Sequence, residues 1–268
     1  MSAAPAHDDS LWEKFYRAPL LRREYGQLPE SGVFTYTTAH GDTLSSIAEK
    51  FYADARRGRA IASWNGLEPH ARLHSGKDVK LVIPRLALMA TLEVMKKSDQ
   101  GCSLEPAASD RRFKRDEQFR LRVSANASGW LYTFNRDAEG RWKRLHPILA
   151  SGGEILRFTD YVLPNDAGET TSWFRLDHDK GAEELVLIFA VEPVDELADI
   201  LDLPPGEELK ESQENTLDTL LERKEKVAKG ITRVEGDSAK REAGAIISLG
   251  PDSGAPILIY RMRLLREA

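Results

Sequence analysis

Two histidine and aspartate patterns in this 268-residue chain have spacings that could hold a metal ion. His70 and His74 stand four residues apart, a spacing that places two ligands on one face of a helix. They fall in a predicted loop, however, and no third ligand is evident. The run Asp177-His178-Asp179 begins like a calcium-binding loop, but the pattern breaks at Gly181 and the distal glutamate is missing. The sequence therefore predicts no metal site.

Candidate nucleophiles are equally isolated. Cys102 is the single cysteine, and no base that could activate its thiol is recognisable. The serines in GDSA (residues 236–239) and PDSG (residues 251–254) lack the Gly-x-Ser-x-Gly frame of a nucleophile elbow. Neither a phosphate-binding glycine loop nor a dinucleotide fingerprint is present. We therefore expect a binding protein without a cofactor, and a hydrolase is the least favoured alternative.

Binding chemistry is better supported at the corner formed by Gly41, Asp42 and Thr43. Glycine lets the backbone change direction sharply, and the side chain of Asp42 or Thr43 can accept a backbone N–H at the start of a following helix. Ser45 and Ser46 stand where a glutamate or glutamine would complete a capping box, so no capping box is expected. Backbone amides in such a turn can bind the polar atoms of a ligand.

Regular elements flank this corner on both sides. The β-branched and aromatic run at residues 33–38 predicts a strand, and the segment after the corner predicts a helix with one apolar stripe. That stripe consists of Leu44, Ile47, Ala48 and Phe51. A second helix is predicted over residues 57–64, where it buries Ile61 and Trp64 and ends at an Asn-Gly pair. We expect a second strand at residues 78–84 to pair antiparallel with the first, with both helices on one face.

This order of elements and its motifs resemble the LysM domain. The resemblance covers residues 33–84 and rests on the Gly-Asp-Thr-Leu turn, the Ile-Ala pair, the Asn-Gly after the second helix and the terminal Val-Ile-Pro. The family usually has Pro-Gly-Gln before its last strand, where this chain has Ser75-Gly76-Lys77. The resemblance implies a small βααβ domain that binds N-acetylglucosamine-containing glycans, mainly peptidoglycan or chitin, in a shallow groove between two loops.

The resemblance also implies which residues would bind the glycan. The loop between the first strand and the first helix supplies Gly41, Asp42, Thr43 and Leu44. The loop between the second helix and the second strand supplies Gly66, Leu67, Glu68, Pro69 and His70. Backbone amides would meet the polar atoms of the acetamido group, while Leu44, Leu67 and Pro69 would cover its methyl group and the sugar face. One open groove buries little surface, so a single copy should bind weakly.

A second function stays open at this point. The turn and the helix cap are needed for the fold whether or not a sugar binds, and LysM-like domains also serve as protein–protein modules. On that reading the chain is a cytosolic interaction or regulatory subunit of a multiprotein assembly, of a secretion, injection or defence type. Its LysM-like module would then bind protein only.

Residues 85–268 have a mostly β pattern. Alternating apolar and polar residues predict strands, with one hairpin at residues 129–147 and another around the turn DHDKG at residues 177–181. A charged segment at about residues 195–230 predicts a helical insertion that lies on the sheet, with a break at residues 204–206. The region resembles a bacterial accessory domain of unknown function that is found beside caspase-like peptidases and kinases. That resemblance implies a mainly antiparallel β-sandwich with a non-catalytic role, which would recruit a partner.

Residues 1–32 are predicted to form an N-terminal arm. An amphipathic helix is expected at residues 10–28, interrupted at Pro19 because proline cannot donate a helical hydrogen bond. The arm could pack on a neighbouring domain or dock on a partner protein. Together with the segments above, it predicts an α+β fold.

Composition limits the partners and the compartment. The net charge of −5 and a pI near 5.8 argue against nucleic acid as a partner. A single cysteine allows no disulfide within the chain and fits a reducing compartment. The sequence shows no secretory signal and no run of about 20 apolar residues. We therefore expect a cytoplasmic protein without a membrane span, or a cell-envelope protein if a signal was removed or export is non-classical.

Overall fold

The computed structural model describes most of the chain, in twelve segments. These are residues 11–22, 32–84, 86–98, 101–107, 111–114, 117–149, 152–164, 173–176, 181–227, 232–235, 244–249 and 257–267. Helices and a larger share of strand are present, and the sheets are mainly antiparallel. The fold is therefore α+β, as the sequence predicts.

Two short helices open the described chain. Helix α1 covers Leu11–Arg17 and helix α2 covers Pro19–Arg22, with Ala18 between them. Proline ends the first helix because its ring conflicts with the preceding turn, and it suits the first position of the next helix because no N–H is needed there. Residues 23–28 of the predicted helix lie outside the described residues.

Residues 33–82 form a βααβ unit. It consists of strand β1 (Val33–Thr37), helix α3 (Leu44–Tyr52), a 3₁₀ turn at Ala55–Arg57, helix α4 (Gly58–Trp64) and strand β2 (Asp78–Val82). The strands pair antiparallel, with Val33 opposite Val82. The apolar stripe of α3 and Ile61 of α4 pack with Val79 and Leu81 in one core. The order and pairing of these elements match the prediction.

Trp64 departs from its predicted burial. Its side chain is 38% exposed at the end of α4. The interior position is filled by Tyr52, which is fully buried and whose hydroxyl donates to the carbonyl oxygen of Val82 at 2.8 Å. The indole of Trp64 packs beside that ring, with the two ring centroids 6.2 Å apart. Trp64 therefore borders the core and does not fill it.

The remaining described residues, from Leu86 to Glu267, form a two-sheet unit. Its strands are β3 (Leu86–Ser98), β4 (Gly101–Pro106), β5 (Arg112–Phe113), β6 (Phe119–Ala125), β7 (Gly129–Arg136), β8 (Trp142–His146), β9 (Glu154–Ile155), β10 (Tyr161–Leu163), β11 (Ala182–Ala190), β12 (Thr232–Glu235), β13 (Gly244–Leu249) and β14 (Ile257–Arg266). The strand order is β10-β6-β3-β13-β12 in the first sheet, with β4 beside β3, and β5-β14-β11-β7-β8 in the second, with β9 beside β7. Among the described strands, β5 and β14 are the one parallel pair.

The two sheets share one apolar core. Leu88 and Leu121 point inward from the first sheet, and Leu131, Leu187 and Phe189 point inward from the second. The alternation of buried and less buried residues along β6, for example, follows from the two-residue period of a strand. The larger of the two buried apolar clusters of this unit lies between these inner faces.

Helices cover the outer face of the second sheet. They are α5 (Ala198–Leu201) and α6 (Glu211–Val227), with non-helical chain at the predicted break between them. Leu217, Leu220 and Leu221 of α6 are spaced i, i+3 and i+4 and pack with Phe134 and Ile188 of the sheet. The helical segment thus lies on the sheet, as predicted.

One of the two predicted hairpins is present, and the prediction of the other is wrong. Strands β7 and β8 pair antiparallel, and Asp137 Oδ1 closes their turn by accepting from the amides of Glu139 and Arg141 at 3.1 and 2.9 Å. Strand β11 pairs instead with β7 and β14, which occupy both of its sides. The segment before it contacts the first sheet, where Phe174 bridges Phe119. Long-range pairing of β11 therefore replaces the local hairpin.

The free side of β8 is covered by the chain that precedes α6. The amides of Gly206 and Leu209 donate to the carbonyl oxygens of Arg144 and Trp142, both at 2.8 Å. Helix α6 adds a side-chain contact, because Glu214 Oε1 accepts from the amide of Trp142 at 2.9 Å. On this side of β8, the amide and carbonyl of Trp142 and the carbonyl of Arg144 thereby have hydrogen-bond partners.

The N-terminal arm packs on both units of its own chain. Phe15 and Leu21 lie in a cluster with Ala53 of the βααβ unit and with Ala87 and Met89 of the first sheet. Leu20 belongs to the core of the βααβ unit. The sequence left two roles open for the arm, packing on a neighbouring domain or docking on a partner protein. The structure shows that the arm packs within its own chain.

Polar contacts hold α1 on the outer face of the first sheet. The Trp12 indole nitrogen donates to Thr91 Oγ1 at 3.2 Å, and the Arg122 guanidinium lies 3.7 Å from the centroid of the same indole ring. The Tyr16 hydroxyl donates to Asp160 Oδ1 at 2.5 Å. Burial and this hydrogen bond raise the pKa of Tyr16.

Asn126 links the arm to the sheet. The side chain is 3% exposed, its Oδ1 accepts from the amide of Ala87 at 2.7 Å, and its Nδ2 donates to the carbonyl oxygen of Leu21 at 3.0 Å. We expect Asn126→Ala to lower the free energy of unfolding by roughly 2–4 kcal/mol, because it leaves two buried main-chain groups without partners. Urea denaturation measures the change.

Asn215→Ala is the matched control, because Asn215 is exposed on α6. This substitution should change the free energy of unfolding by less than about 0.5 kcal/mol. Equal effects of the two substitutions would show that the Asn126 amide does not secure the arm.

His146 gives the two-sheet unit a specific sensitivity to acid. It is 7% exposed, and neither ring nitrogen has a hydrogen-bond partner among the described residues. Burial, with the neighbouring Arg144 charge, lowers the pKa of His146 from 6.5 to about 4. Between these values the unfolded chain binds a proton that the folded protein does not bind, so stability falls as the pH falls through this range.

We expect wild-type protein to lose up to roughly 3 kcal/mol from this group between neutral pH and about pH 4, and His146→Leu to lack that loss. Urea denaturation of both proteins at about pH 7 and about pH 4.5 tests it. An identical acid-induced loss in the two proteins would contradict the assignment to His146.

Candidate functional site

A cleft of about 470 Å³ lies between the corner after β1 and the loop after α4. We call it the corner–loop cleft. Its walls are residues 41–45 on one side and residues 69–73 on the other. These are two segments far apart in the sequence, and the packing of α4 on α3 brings them together.

The Asp42 side chain is turned back into its own corner. Asp42 Oδ2 accepts from the amide of Ala39 at 2.7 Å and from the hydroxyl of Tyr36 at 2.8 Å. Gly41 makes this possible because its φ of +85° lies in the left-handed region, which other residues rarely adopt. The hydrogen bond from Ala39 is the largest cause that lowers the pKa of Asp42, followed by those of Tyr36 and the charge of Lys50.

Thr43 caps helix α3. Its Oγ1 accepts from the amide of Ser46 at 3.0 Å, and Ser46 Oγ accepts from the amide of Thr43 at 2.8 Å. This reciprocal pair is a capping box, so the prediction that none would form is wrong. The serine hydroxyl reaches the cap amide in the place of the longer glutamate or glutamine side chain.

The second wall is fixed from behind by Asn65 and Gly66. Asn65 Oδ1 accepts from the amide of Lys80 and its Nδ2 donates to the carbonyl oxygen of Lys80, both at 2.8 Å. Gly66 has a φ of +60°, which turns the chain after α4. The amide of Ala71 donates to the carbonyl oxygen of Glu68 at 3.0 Å and closes the next turn. The loop is therefore tied to β2 by its first residue.

The structure separates the predicted glycan-binding residues into two groups. Gly41, Asp42, Thr43, Leu44, Pro69 and His70 line the cleft. Gly66, Leu67 and Glu68 do not line it and instead form the turn behind its wall. Leu67 is half-buried against the core of the βααβ unit. That any of the nine residues binds a glycan stays a prediction.

Four lining residues were not predicted: Ser45, Ala71, Arg72 and Leu73. Ser45 directly follows the predicted loop residues 41–44, and the other three extend the second loop beyond His70. No sequence pattern indicated these residues, because their position depends on a long-range contact: the Thr38 side chain accepts from the amide of Lys77 at 3.0 Å and donates to the carbonyl oxygen of His74 at 2.6 Å. This contact draws the end of the loop back to the end of β1.

The cleft presents polar and apolar groups side by side. Leu44 and Ser45 begin α3, and the first N–H groups of a helix have no acceptor within the helix. Both internal hydrogen bonds of Asp42 end on Oδ2, so Oδ1 can accept from a ligand. Pro69 and the partly exposed Leu73 add apolar surface. Donors, an acceptor and apolar area thus lie side by side.

The other candidate chemistry is not assembled. His70 and His74 lie in the loop and not on a helix, and no group of three potential metal ligands occurs within the described segments. Residues 177–179, 236–239 and 251–254 lie outside the described residues, and so does the side chain of Cys102. No helix in the described part of the chain is long and apolar enough to cross a membrane.

The lowered pKa of Asp42 gives a testable pH dependence. A carboxyl group whose pKa is lower in the folded protein than in the unfolded chain stabilises the fold at pH values above its ordinary pKa. That stabilisation is lost as the pH falls through the lowered pKa. We expect Asp42→Asn to be less stable than wild type near neutral pH, with the difference shrinking below about pH 4. Urea denaturation at the two pH values measures the difference.

Asp202→Asn, at an exposed position, is the control and should match wild type at both pH values. A stability difference for Asp42→Asn that stays constant down to acid pH would mean that its charge contributes nothing to the corner.

Comparisons with known proteins do not assign the chain to a family. No protein-family model matches it, and no curated protein matches it either.

Proposed function

We propose that the protein is a non-enzymatic binding or adaptor protein. Its βααβ unit is a LysM-type module that takes an N-acetylglucosamine-containing glycan, such as peptidoglycan or chitin, into the corner–loop cleft. Its two-sheet unit recruits a partner. The observation that supports this proposal best is the cleft itself, whose walls include six of the residues that the sequence resemblance singled out.

The acetamido group of the sugar matches the polar atoms of the cleft. Its carbonyl oxygen can accept from the amides at the start of α3, and its N–H can donate to Asp42 Oδ1. Its methyl group can lie against Pro69 and Leu73. Each of these contacts is individually modest, so recognition depends on several of them being made at once.

The affinity of one cleft should be low. The cleft is open and the ligand stays partly in water, so the surface buried cannot offset much of the entropy lost on binding. The sequence contains one such module, so avidity between repeated modules within the chain does not add to it. We expect a Kd in the range of roughly 0.1–1 mM for a short oligosaccharide.

Calorimetry with a chitin tetrasaccharide and pulldown with insoluble peptidoglycan test the proposal. Substituting the exposed lining residues His70 and Arg72 by alanine should weaken binding by at least about tenfold, since each contributes contact area and hydrogen-bond donors. His74→Ala and Arg59→Ala are the matched controls, because both residues are exposed and lie outside the cleft. They should bind as wild type does.

The second candidate function is a protein-binding module in a multiprotein assembly. The observation that favours it is that Asp42 and Thr43 already serve their own turn and helix cap, so the corner has a structural reason to exist without a sugar. Absence of saccharide binding at roughly 10 mM, with a folded protein and no retention on peptidoglycan, would overturn the glycan proposal and leave this one.

A further inference from the structure

A second cavity, of about 310 Å³, opens at one end of the core between the two sheets. Residues from β7, β8 and β11 form one side, and residues 173–176 form the other. We call it the β8-edge cavity. Its volume is at the lower end of the range for pockets that bind small molecules. It shares no lining residue with the corner–loop cleft.

A buried acceptor in its wall lacks a partner. Asn135 is 6% exposed and its Nδ2 donates to Glu183 Oε2 at 2.8 Å. Its Oδ1 accepts no hydrogen bond from any described residue. A buried carbonyl oxygen without a donor costs free energy, and proteins retain such groups where a ligand or water completes them. The cavity beside Asn135 is therefore expected to hold a molecule with an N–H or O–H donor.

Charged residues flank Asn135 on both neighbouring strands. Lys143 of β8 lies directly opposite Asn135 in the register. On the other side Asn135 faces Leu185 of β11, and Glu183 lies two positions earlier on the same face of that strand. A cation, an amide and a carboxylate thus follow one another across three neighbouring strands, and all three residues line the cavity. Arg175 adds a second cation on the exposed side.

The opposite wall is aromatic and fixed in place. Phe174 pairs with Phe119 through two main-chain hydrogen bonds of 3.0 and 3.1 Å, and their ring centroids are 5.7 Å apart. On the other face of this segment, the Arg120 guanidinium lies 5.7 Å from the ring centroid of the half-buried Trp173, and Arg120 Nε donates to Glu93 Oε2 at 2.7 Å. These contacts fix the segment from outside. A flat apolar group entering the cavity would stack on Phe174 and Phe119.

We propose that the β8-edge cavity binds a small aromatic zwitterion, namely an α-amino acid with an aromatic side chain. Its ammonium group donates to Asn135 Oδ1 beside the Glu183 carboxylate. Its carboxylate faces Lys143, and its ring packs on Phe174 and Phe119. This binding is independent of the glycan proposed for the other site.

Titration of the full chain with L-phenylalanine tests the proposal by calorimetry and by ligand-observed NMR. Two analogues divide its chemistry: 3-phenylpropanoate lacks the ammonium group, and 2-phenylethylamine lacks the carboxylate. We expect L-phenylalanine to bind with a Kd of roughly 0.1–10 mM, and each analogue at least about tenfold more weakly, because each leaves one charged end of the site without its partner. Equal binding of all three would overturn the assigned chemistry.

Two variants test the location. Phe174→Ala removes the aromatic wall and Asn135→Leu removes the acceptor, and each should weaken L-phenylalanine binding by at least about tenfold. Trp64→Ala is the control, because Trp64 is an exposed aromatic residue outside this cavity. Phe174 is partly exposed, so its variant remains informative if Asn135→Leu fails to fold. Unchanged binding in Phe174→Ala, or no binding by wild type at roughly 20 mM, would overturn the proposal.

Discussion

Burial of the N-terminal arm holds the βααβ unit and the two-sheet unit against each other. Phe15 and Leu21 fill a cluster to which both units contribute, and Leu20 enters the core of the βααβ unit. A fully buried side chain of this size contributes about 2 kcal/mol relative to an exposed one, so three of them outweigh any single polar contact nearby. Because of this contact the corner–loop cleft and the β8-edge cavity belong to one connected framework.

Different kinds of interaction determine the shapes of the two cavities. The corner–loop cleft is shaped by backbone devices: the left-handed Gly41, the reciprocal cap of Thr43 and Ser46, and the turn beyond α4. Its outline therefore tolerates changes in exposed side chains such as that of Arg72. The β8-edge cavity is shaped by side chains that meet across strands, so its outline depends on those side chains. Asn135 illustrates this, because it both lines the space and supplies the acceptor.

What the sequence predicts well is local. The βααβ order and the β7–β8 hairpin follow from alternation, apolar stripes and turn residues within a few positions of each other. What it misses depends on contacts between distant segments. Strand β11 has β7 and β14 as neighbours, and nothing near β11 in the sequence indicates that choice. The corner of the cleft could be predicted because glycine and threonine have specific backbone roles. Elsewhere in the βααβ unit, the exposure of Trp64 could not be predicted, because it depends on Tyr52 occupying the interior position.

The segment that covers β8 limits how other chains can join this protein. Its amides occupy the carbonyl oxygens of Trp142 and Arg144, which would otherwise form an open sheet edge. At an open edge an extended peptide can add as an extra strand, and the sheets of two molecules can pair and aggregate. At the opposite end of the second sheet, the two-residue strand β5 pairs with Leu265 and Arg266 of β14. At the β8 edge, therefore, an extended segment of another molecule finds no free carbonyl at Trp142 or Arg144 on which to add as a further strand.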